Sequence, residues 1–261
     1  MSKLIITLFI IGLILSIGFG IGLISQGKKL SSAHHETQLN KEYKDNIKSI
    51  QLDVENSDVE IKHGKTFSIK SIGSSDDKVD SKVEKETWHI NDQHNQSNIN
   101  FRIGTMFTNK IIITLPKEMN ELTIKDDAGD IKVDDVVSKK THINVDSGDI
   151  TLTDSKLGDL KVNNDSGDIL MKHIHFTEGK IKNDSGDIEM KQSIPDQPLN
   201  VSNDSGDIHI NYKNKAKNTS FTALNDSGDT NIYDKELKQH QIGKGDNKVN
   251  LSNDSGDITV K

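Results

Sequence analysis

One four-residue phrase, Asp-Ser-Gly-Asp, limits what this chain can fold into more than any other feature. It recurs at 146–149, 165–168, 184–187, 204–207, 226–229 and 254–257, and a variant, Asp127-Ala128-Gly129-Asp130, precedes the series. The glycines fall at 129, 148, 167, 186, 206, 228 and 256, so the steps are 19, 19, 19, 20, 22 and 28 residues. A near-constant period of this size marks a solenoid, in which each repeat is one coil packed only on its neighbours. A coil of roughly 19 residues at about 3.3 Å each has a contour of about 60 Å, which suits a flattened coil with a narrow apolar interior.

Aligned on glycine, the repeats give a strand, a tight turn and a second strand. Two residues after glycine stand Ile131, Ile150, Ile169, Ile188, Ile208, Thr230 and Ile258; four after it stand Val133, Leu152, Met171, Met190, Ile210, Ile232 and Val260. Five before it stand Ile124, Ile143, Val162, Ile181, Val201, Ala223 and Leu251. This period of two predicts alternate side chains pointing inward. Three before glycine the column reads Asp126, Val145, then Asn164, Asn183, Asn203, Asn225 and Asn253. The repeated Asn predicts an amide ladder, each side chain bonding the next about 4.8 Å along the axis. Glycine supplies φ > 0, and the Asp two residues before it is placed to accept backbone N–H bonds as an Asx turn.

The chain divides into a short flank (1–3), an apolar run (4–25), a polar linker (26–46), a region of irregular β coils that also caps the first edge (47–125) and the regular solenoid (126–261). The fold class expected is all-β, a β-solenoid with coils of about 20 residues preceded by one N-terminal transmembrane helix. Alternation begins at Ile50-x-Leu52-x-Val54 and continues through Ile111-x-Ile113. The stretches Gly73–Asp80 and Asn91–Asn98 read as loops. Leu4–Ser25 is 22 residues without a charge, about 33 Å as a helix and enough to cross a bilayer core. A cleaved signal peptide is the competing reading, with Ser31-x-Ala33 as the site. Lys28 and Lys29 intervene and the run is long, so an uncleaved single-pass anchor with an extracytoplasmic C-terminal domain is expected.

Composition removes several function classes. No cysteine is present, so disulfides, thiolate metal sites and a lipidated Cys are excluded. Within 121–261 there are 26 acidic residues against 18 lysines, which disfavours nucleic acid as a ligand of the repeat face. Arg102 is the single arginine, so bidentate clamps on phosphate are nearly absent from the repertoire. Motifs for serine hydrolases, zinc proteases, phosphate cradles and dinucleotide sites are missing. Asp126-Asp127 or Asp134-Asp135 with Arg102 are formal candidates for a glycan-cleaving β-helix, but the acidic face repels an anionic glycan, and the reading is non-enzymatic. His173-x-His175 on one strand face could hold a metal; two histidines alone are more often surface residues.

Turn chemistry accounts for Asp-Ser-Gly-Asp without a ligand. Stacking nevertheless sets carboxylates about 5 Å apart. A Ca²⁺ shared between coils by Asp146, Asp149, Asp165, Asp168, Asp184, Asp187, Asp204 and Asp207 is the alternative, and no other cofactor is expected. The last repeat, Asn253–Lys261, ends the chain without a polar cap, so its strand is expected to be a free edge open to self-association.

The segments Ile111-Ile112-Ile113-Thr114-Leu115-Pro116 and Leu122-Thr123-Ile124, followed by the Gly129-Asp130-Ile131 type of repeat, resemble the bacterial putative-adhesin family of β-strand-repeat proteins of unknown function. The resemblance covers about 47–261. With the N-terminal span, the chain also resembles the membrane-anchored member of the Lia envelope-stress operon of low-GC Gram-positive bacteria. The resemblance implies a non-enzymatic β-solenoid outside the cytoplasm, an interaction or scaffold module tied to adhesion or envelope stress, with an envelope protein or glycan as partner. It carries no catalytic residues.

Overall fold

The computed structural model describes residues 36–73, 77–94, 109–233, 235–236 and 239–261. The expected anchor at 4–25, residues 26–35 of the expected linker and Arg102 lie outside the described residues; of the rest of that linker, Glu36–Tyr43 is a strand. What is described is all-β, with one sheet of 12 strands and one of 11. Each coil gives one strand to each sheet. In chain order the coils are A (Ser49–Val54, Ser57–His63), B (Thr87–His94, Asn109–Leu115), C (Met119–Ala128, Ile131–Asp134), D (Ser138–Ser147, Ile150–Thr153), E (Asp159–Ser166, Ile169–Lys172), F (Glu178–Ser185, Ile188–Ser193), G (Leu199–Ser205, Ile208–Tyr212), H (Thr219–Ser227, Thr230–Ile232) and I (Asn247–Ser255, Ile258–Val260).

Neighbouring coils pair in parallel with equivalent residues opposite one another: Ile143 faces Val162, Val162 faces Ile181, and Ile150 faces Ile169. The columns predicted to point inward do so. Ile143, Val162, Ile181 and Val201 from the first strands and Ile150, Leu152, Met171 and Met190 from the second are buried in one continuous core. The outward alternates are mostly polar, with Leu170 and Leu224 among the exceptions, as a two-sheet solenoid wetted on both outer faces requires.

The spatial order of coils is B-A-C-D-E-F-G-I-H. At both ends the coil that comes first or last in sequence is tucked one place inside. Coil I inserts between G and H, with Ser252 opposite Ser202 on one side and opposite Leu224 on the other. The expectation of a free C-terminal edge is therefore corrected: the last strand, Ile258–Val260, is bonded on both sides. The physical reason lies in the quality of the repeats. Coil H carries Ala223 and Thr230 where other coils carry larger apolar groups, and its Leu224 is 63% exposed. The well-formed coil I gains more from two neighbours than the weaker coil H would. The loop from Lys213 to Asn218 must therefore bridge across coil I, and Asp196 clamps it: its carboxylate accepts from the amides of Lys217 (3.0 Å) and Asn218 (2.7 Å) and from the Thr219 hydroxyl (2.7 Å).

Antiparallel strands close the stack. Glu36–Tyr43 and Phe67–Gly73 extend one sheet beyond coil B, and Asp77–Glu84 extends the other. Parts of the stretches 73–80 and 91–98 read as loops are thus strand: Asp77–Asp80 belongs to the edge strand, and Asn91–His94 is the polar end of Thr87–His94, which is paired on both sides. Lys235–Glu236 and Gln239–Ile242 do the same beside coil H. Aromatics gather at these ends. Trp88 is fully buried against Tyr43 and Phe67, with ring centroids 4.8 and 6.3 Å away, and Phe221 packs between Tyr212 and Tyr233. Stacked coils need little more than Ile, Val and Met, whereas an end must cover a whole cross-section with side chains.

Candidate functional site

The Asp-Ser-Gly-Asp corner is where the repeated chemistry collects, and its geometry follows from close stacking. Gly167 has φ +128°, and a Cβ on it would lie 2.2 Å from the carbonyl oxygen of Gly148. Gly148, at φ +144°, would collide in the same way with Gly129. No side chain fits a column this tight. The Gly167 amide donates to the Ser185 carbonyl at 2.9 Å, and the Ile169 amide donates to the Asp187 carbonyl at 2.9 Å. The freed glycine carbonyl is taken by the column three residues before glycine. Asn164 Nδ2 donates to Gly148 O at 3.1 Å, Asn183 to Gly167 at 3.1 Å, Asn203 to Gly186 at 3.0 Å and Asn253 to Gly206 at 2.9 Å. The amide ladder expected between these asparagines is therefore replaced by bonds to backbone. Their Oδ1 atoms are buried without a protein partner, the kind of acceptor that holds internal water. Side-chain amides do bond each other on the outer face of the longer strands, where Asn163 donates to Asn144 at 2.6 Å and Asn250 to Asn200 at 2.8 Å.

The two Asp columns have different tasks. The Asp after glycine accepts the backbone amide of its counterpart one coil on: Asp149 from Asp168, Asp168 from Asp187, and Asp187 from Asp207, each at 2.8 Å. Asp207 receives the amide of Asp257, and Asp257 that of Asp229, both at 2.8 Å. An N–H group stands between successive carboxylates, which offsets the repulsion that stacking imposes. The Asp before Ser points outward. Asp146, Asp165 and Asp204 are exposed, and Asp184 pairs with Lys182 at 2.6 Å. Among the described residues no group of three or more His, Asp or Glu side chains converges on a point that could hold a metal ion.

The formal catalytic pairs are not brought together as pairs. Asp126 and Asp127 are consecutive on a strand and so point to opposite faces. Asp126 is fully buried, while Asp127 lies outside and pairs with Lys125 at 3.0 Å. Asp134 is bonded to the Thr153 hydroxyl, and Asp135 occupies a corner at φ +52°. The paired histidines are also separated. His173, at φ +54°, stands in the second corner of coil E rather than on a strand, stacked between Asp154 and Gln192 of the neighbouring coils. His175 lies beyond it in an isolated bridge to Lys156. The left-handed column Asp135, Asp154, His173, Gln192 was not singled out from the sequence; its signal is a fixed spacing of six residues after each glycine.

Two shallow hollows mark the surface. One, of about 380 Å³, lies on the outer face of the longer strands among Asn163, Lys180, Asn200, Ser202, Leu224 and Asn250. The other, of about 300 Å³, lies near His63, Lys117, Glu118 and Asp135. In the first, Lys180 is paired with Glu178 at 3.2 Å and Lys182 with Asp184 at 2.6 Å, so its cations are neutralised, and most of its exposed lining is apolar, with Leu224 its most exposed apolar residue.

The fold has a solved counterpart. A putative adhesin from Bacteroides fragilis NCTC 9343 is similar at a TM-score of 0.50 and 16% identity, over 87% of this chain and 97% of that one. A putative cell adhesion protein from Clostridium sporogenes ATCC 15579 is similar at a TM-score of 0.39 and 11% identity, over 87% and 99%. No curated protein matches the chain. The family model described as Toastrack DUF4097 matches residues 47–261, which hold all nine coils and every closing strand but Glu36–Tyr43, and the chain belongs to that family.

Proposed function

We propose that this chain is a membrane-anchored, outward-facing scaffold of the bacterial cell envelope that works by binding and not by catalysis. The observation that carries the reading is how the repeated polar groups are used. Glycine, Asn and the second Asp of the regular corners are spent on bonds between coils, and among the described residues no buried carboxylate is hydrogen-bonded or ion-paired to a basic side chain. What is left for partners is two long, rigid, polar faces with side chains in fixed register. Such faces suit an extended partner, an envelope glycan or protein. The uncharged run Leu4–Ser25 supports anchoring, and the polar residues 26–35 after it would give the domain reach from the bilayer. The resemblance to the Lia-operon protein supports an envelope-stress setting, and the putative-adhesin name of the Bacteroides counterpart supports surface exposure.

Protease added to intact cells, followed by detection of the 47–261 domain, tests the placement. The domain is expected to be digested without membrane disruption; protection until the membrane is opened would contradict the proposal. Cross-linking in intact cells then tests binding. A cross-linked envelope component is expected with the native face and is expected to be lost when Asn200 and Asn250 are both changed to Glu.

A further inference from the structure

The column three residues before glycine contains one acid. Asp126 of coil C stands opposite Val54 of coil A and Val145 of coil D, and the asparagines follow from Asn164 onward. In coils E, F, G and I this position donates a hydrogen bond to the glycine carbonyl of the preceding coil. For coil C the matching carbonyl belongs to Ser57, since Val59 stands opposite Ile131 two residues on. A Cβ placed on Gly129 would lie 2.5 Å from Ser57 O and 2.8 Å from Asp126 Oδ2, so these two oxygens crowd one point. Both are acceptors unless the carboxyl carries a proton. Asp126 Oδ1 accepts the Ala128 amide at 3.2 Å, and Oδ2 is buried without a protein partner.

The surroundings oppose ionisation. Coil A contributes Asp53, Glu55 and Asp58, coil B contributes Asp92, coil D contributes Asp146, and the same strand contributes Lys125 and Asp127. Lys125 is engaged outside, with Asp127 at 3.0 Å and Asp53 at 3.7 Å. Asp92 already holds the Glu55 amide and the Ser57 hydroxyl, both at 2.7 Å, and Asp58 holds the Asp130 amide at 3.1 Å. No cation is left to face Asp126 among the described residues.

We propose that Asp126 is a proton-linked latch joining the regular repeats to the N-terminal end of the solenoid. Protonated, it donates to the Ser57 carbonyl as the asparagines donate to theirs; ionised, it loses that bond and repels Asp58, Asp92 and Asp127. Burial, followed by those neighbouring acids, pushes its carboxyl up from the usual 3.8 to about 7. The folded protein thus holds a proton that the unfolded chain has released. The latch is fully closed at low pH, its contribution to stability falls as pH rises from about 4 to about 7, and the loss is complete above that. The device lies at the end of the domain that leads to the linker, so ambient pH would set how firmly coils A and B are docked.

Trp88, the single tryptophan, is buried in coil B and reports on this end directly. Urea unfolding of the full chain in detergent, followed by Trp88 emission from about pH 5 to about pH 8, is the test. Asp126→Asn supplies the donor at every pH. The unfolding constant of the native chain divided by that of Asp126→Asn is expected to rise by up to about tenfold per pH unit below 7 and then level off. Asp126→Val, which matches both neighbours in the column, is expected to give the same levelling ratio and checks the result if the Asn variant folds poorly. A ratio that stays constant with pH for both variants would overturn the latch. Infrared spectra near pH 6 must also show a protonated carboxyl that Asp126→Asn removes; its absence would likewise overturn the proposal.

Discussion

Asn183 donates its side-chain amide to the carbonyl of Gly167, one coil earlier, at 3.1 Å, and that carbonyl is open only because the neighbouring column is glycine. The two residues thus form one device. Changing Asn183 to Ala removes the donor and is expected to cost about 1–3 kcal/mol. Changing Gly167 to Ala forces a Cβ to within 2.2 Å of Gly148 O at a left-handed φ and is expected to cost at least about 3 kcal/mol. Asp165→Ala, on the exposed column, is expected to stay within about 0.5 kcal/mol. Urea denaturation of the three variants checks the order.

Calcium is expected to leave stability unchanged. The second Asp of each corner already accepts an amide at 2.8 Å, and the first points into solvent. Thermal midpoints measured with EDTA and with millimolar Ca²⁺ should agree. A rise with Ca²⁺ would mean that the Asp columns rearrange to share ions.

Asp196 holds the loop that steps over coil I. Its hydrogen bonds to Thr219, Asn218 and Lys217 outweigh its partial burial and keep its carboxyl below the usual 3.8. Its contribution is therefore present above the unfolded value near 3.8 and is lost as pH falls through the lower folded value. Asp196→Ala is expected to cost about 2 kcal/mol at neutral pH and to flatten the acid limb of the stability profile.

Removing residues 247–261 should release more than the coil they form. Coil H rests on coil I, so truncation leaves 219–246 with no stacked neighbour, and coil G loses its far side. Limited proteolysis followed by mass spectrometry is expected to show new cleavage between 213 and 246 while coils C to F stay intact. Protection of that segment would contradict the coil order.

Most of the interior of the repeats was legible because one rule, alternation about a fixed glycine, sets which residues point inward. Ile150, Leu152 and Val162 fall where the period puts them. The order of coils at the ends was not legible. Asn225 and Asn253 carry the same donor, and Ser227 and Ser255 the same carbonyl, so local chemistry fits either neighbour. The signal was present only as weakness, in Ala223, Leu224 and Thr230, and it gains meaning once two coils compete for one inner place. The corner was half legible. Glycine and its φ were expected, but the partner of each Asp and Asn lies one coil away, and a partner in another coil cannot be read from a turn considered alone. Asp126 and Asp127 looked like a pair because they adjoin in sequence; strand geometry sends them to opposite faces.

Pairwise thiol bridging tests the stacking most directly, and the absence of native cysteine makes it clean. Ser202, Leu224 and Ser252 all face outward in one column, with Ser252 between the other two. Introducing cysteine at 202 and 252, or at 224 and 252, should give efficient bridging within one chain by a short bifunctional thiol reagent, and cysteine at 202 and 224 should give none. Bridging of 202 to 224 would mean that coils G and H stack directly and that the last coil is not held between them.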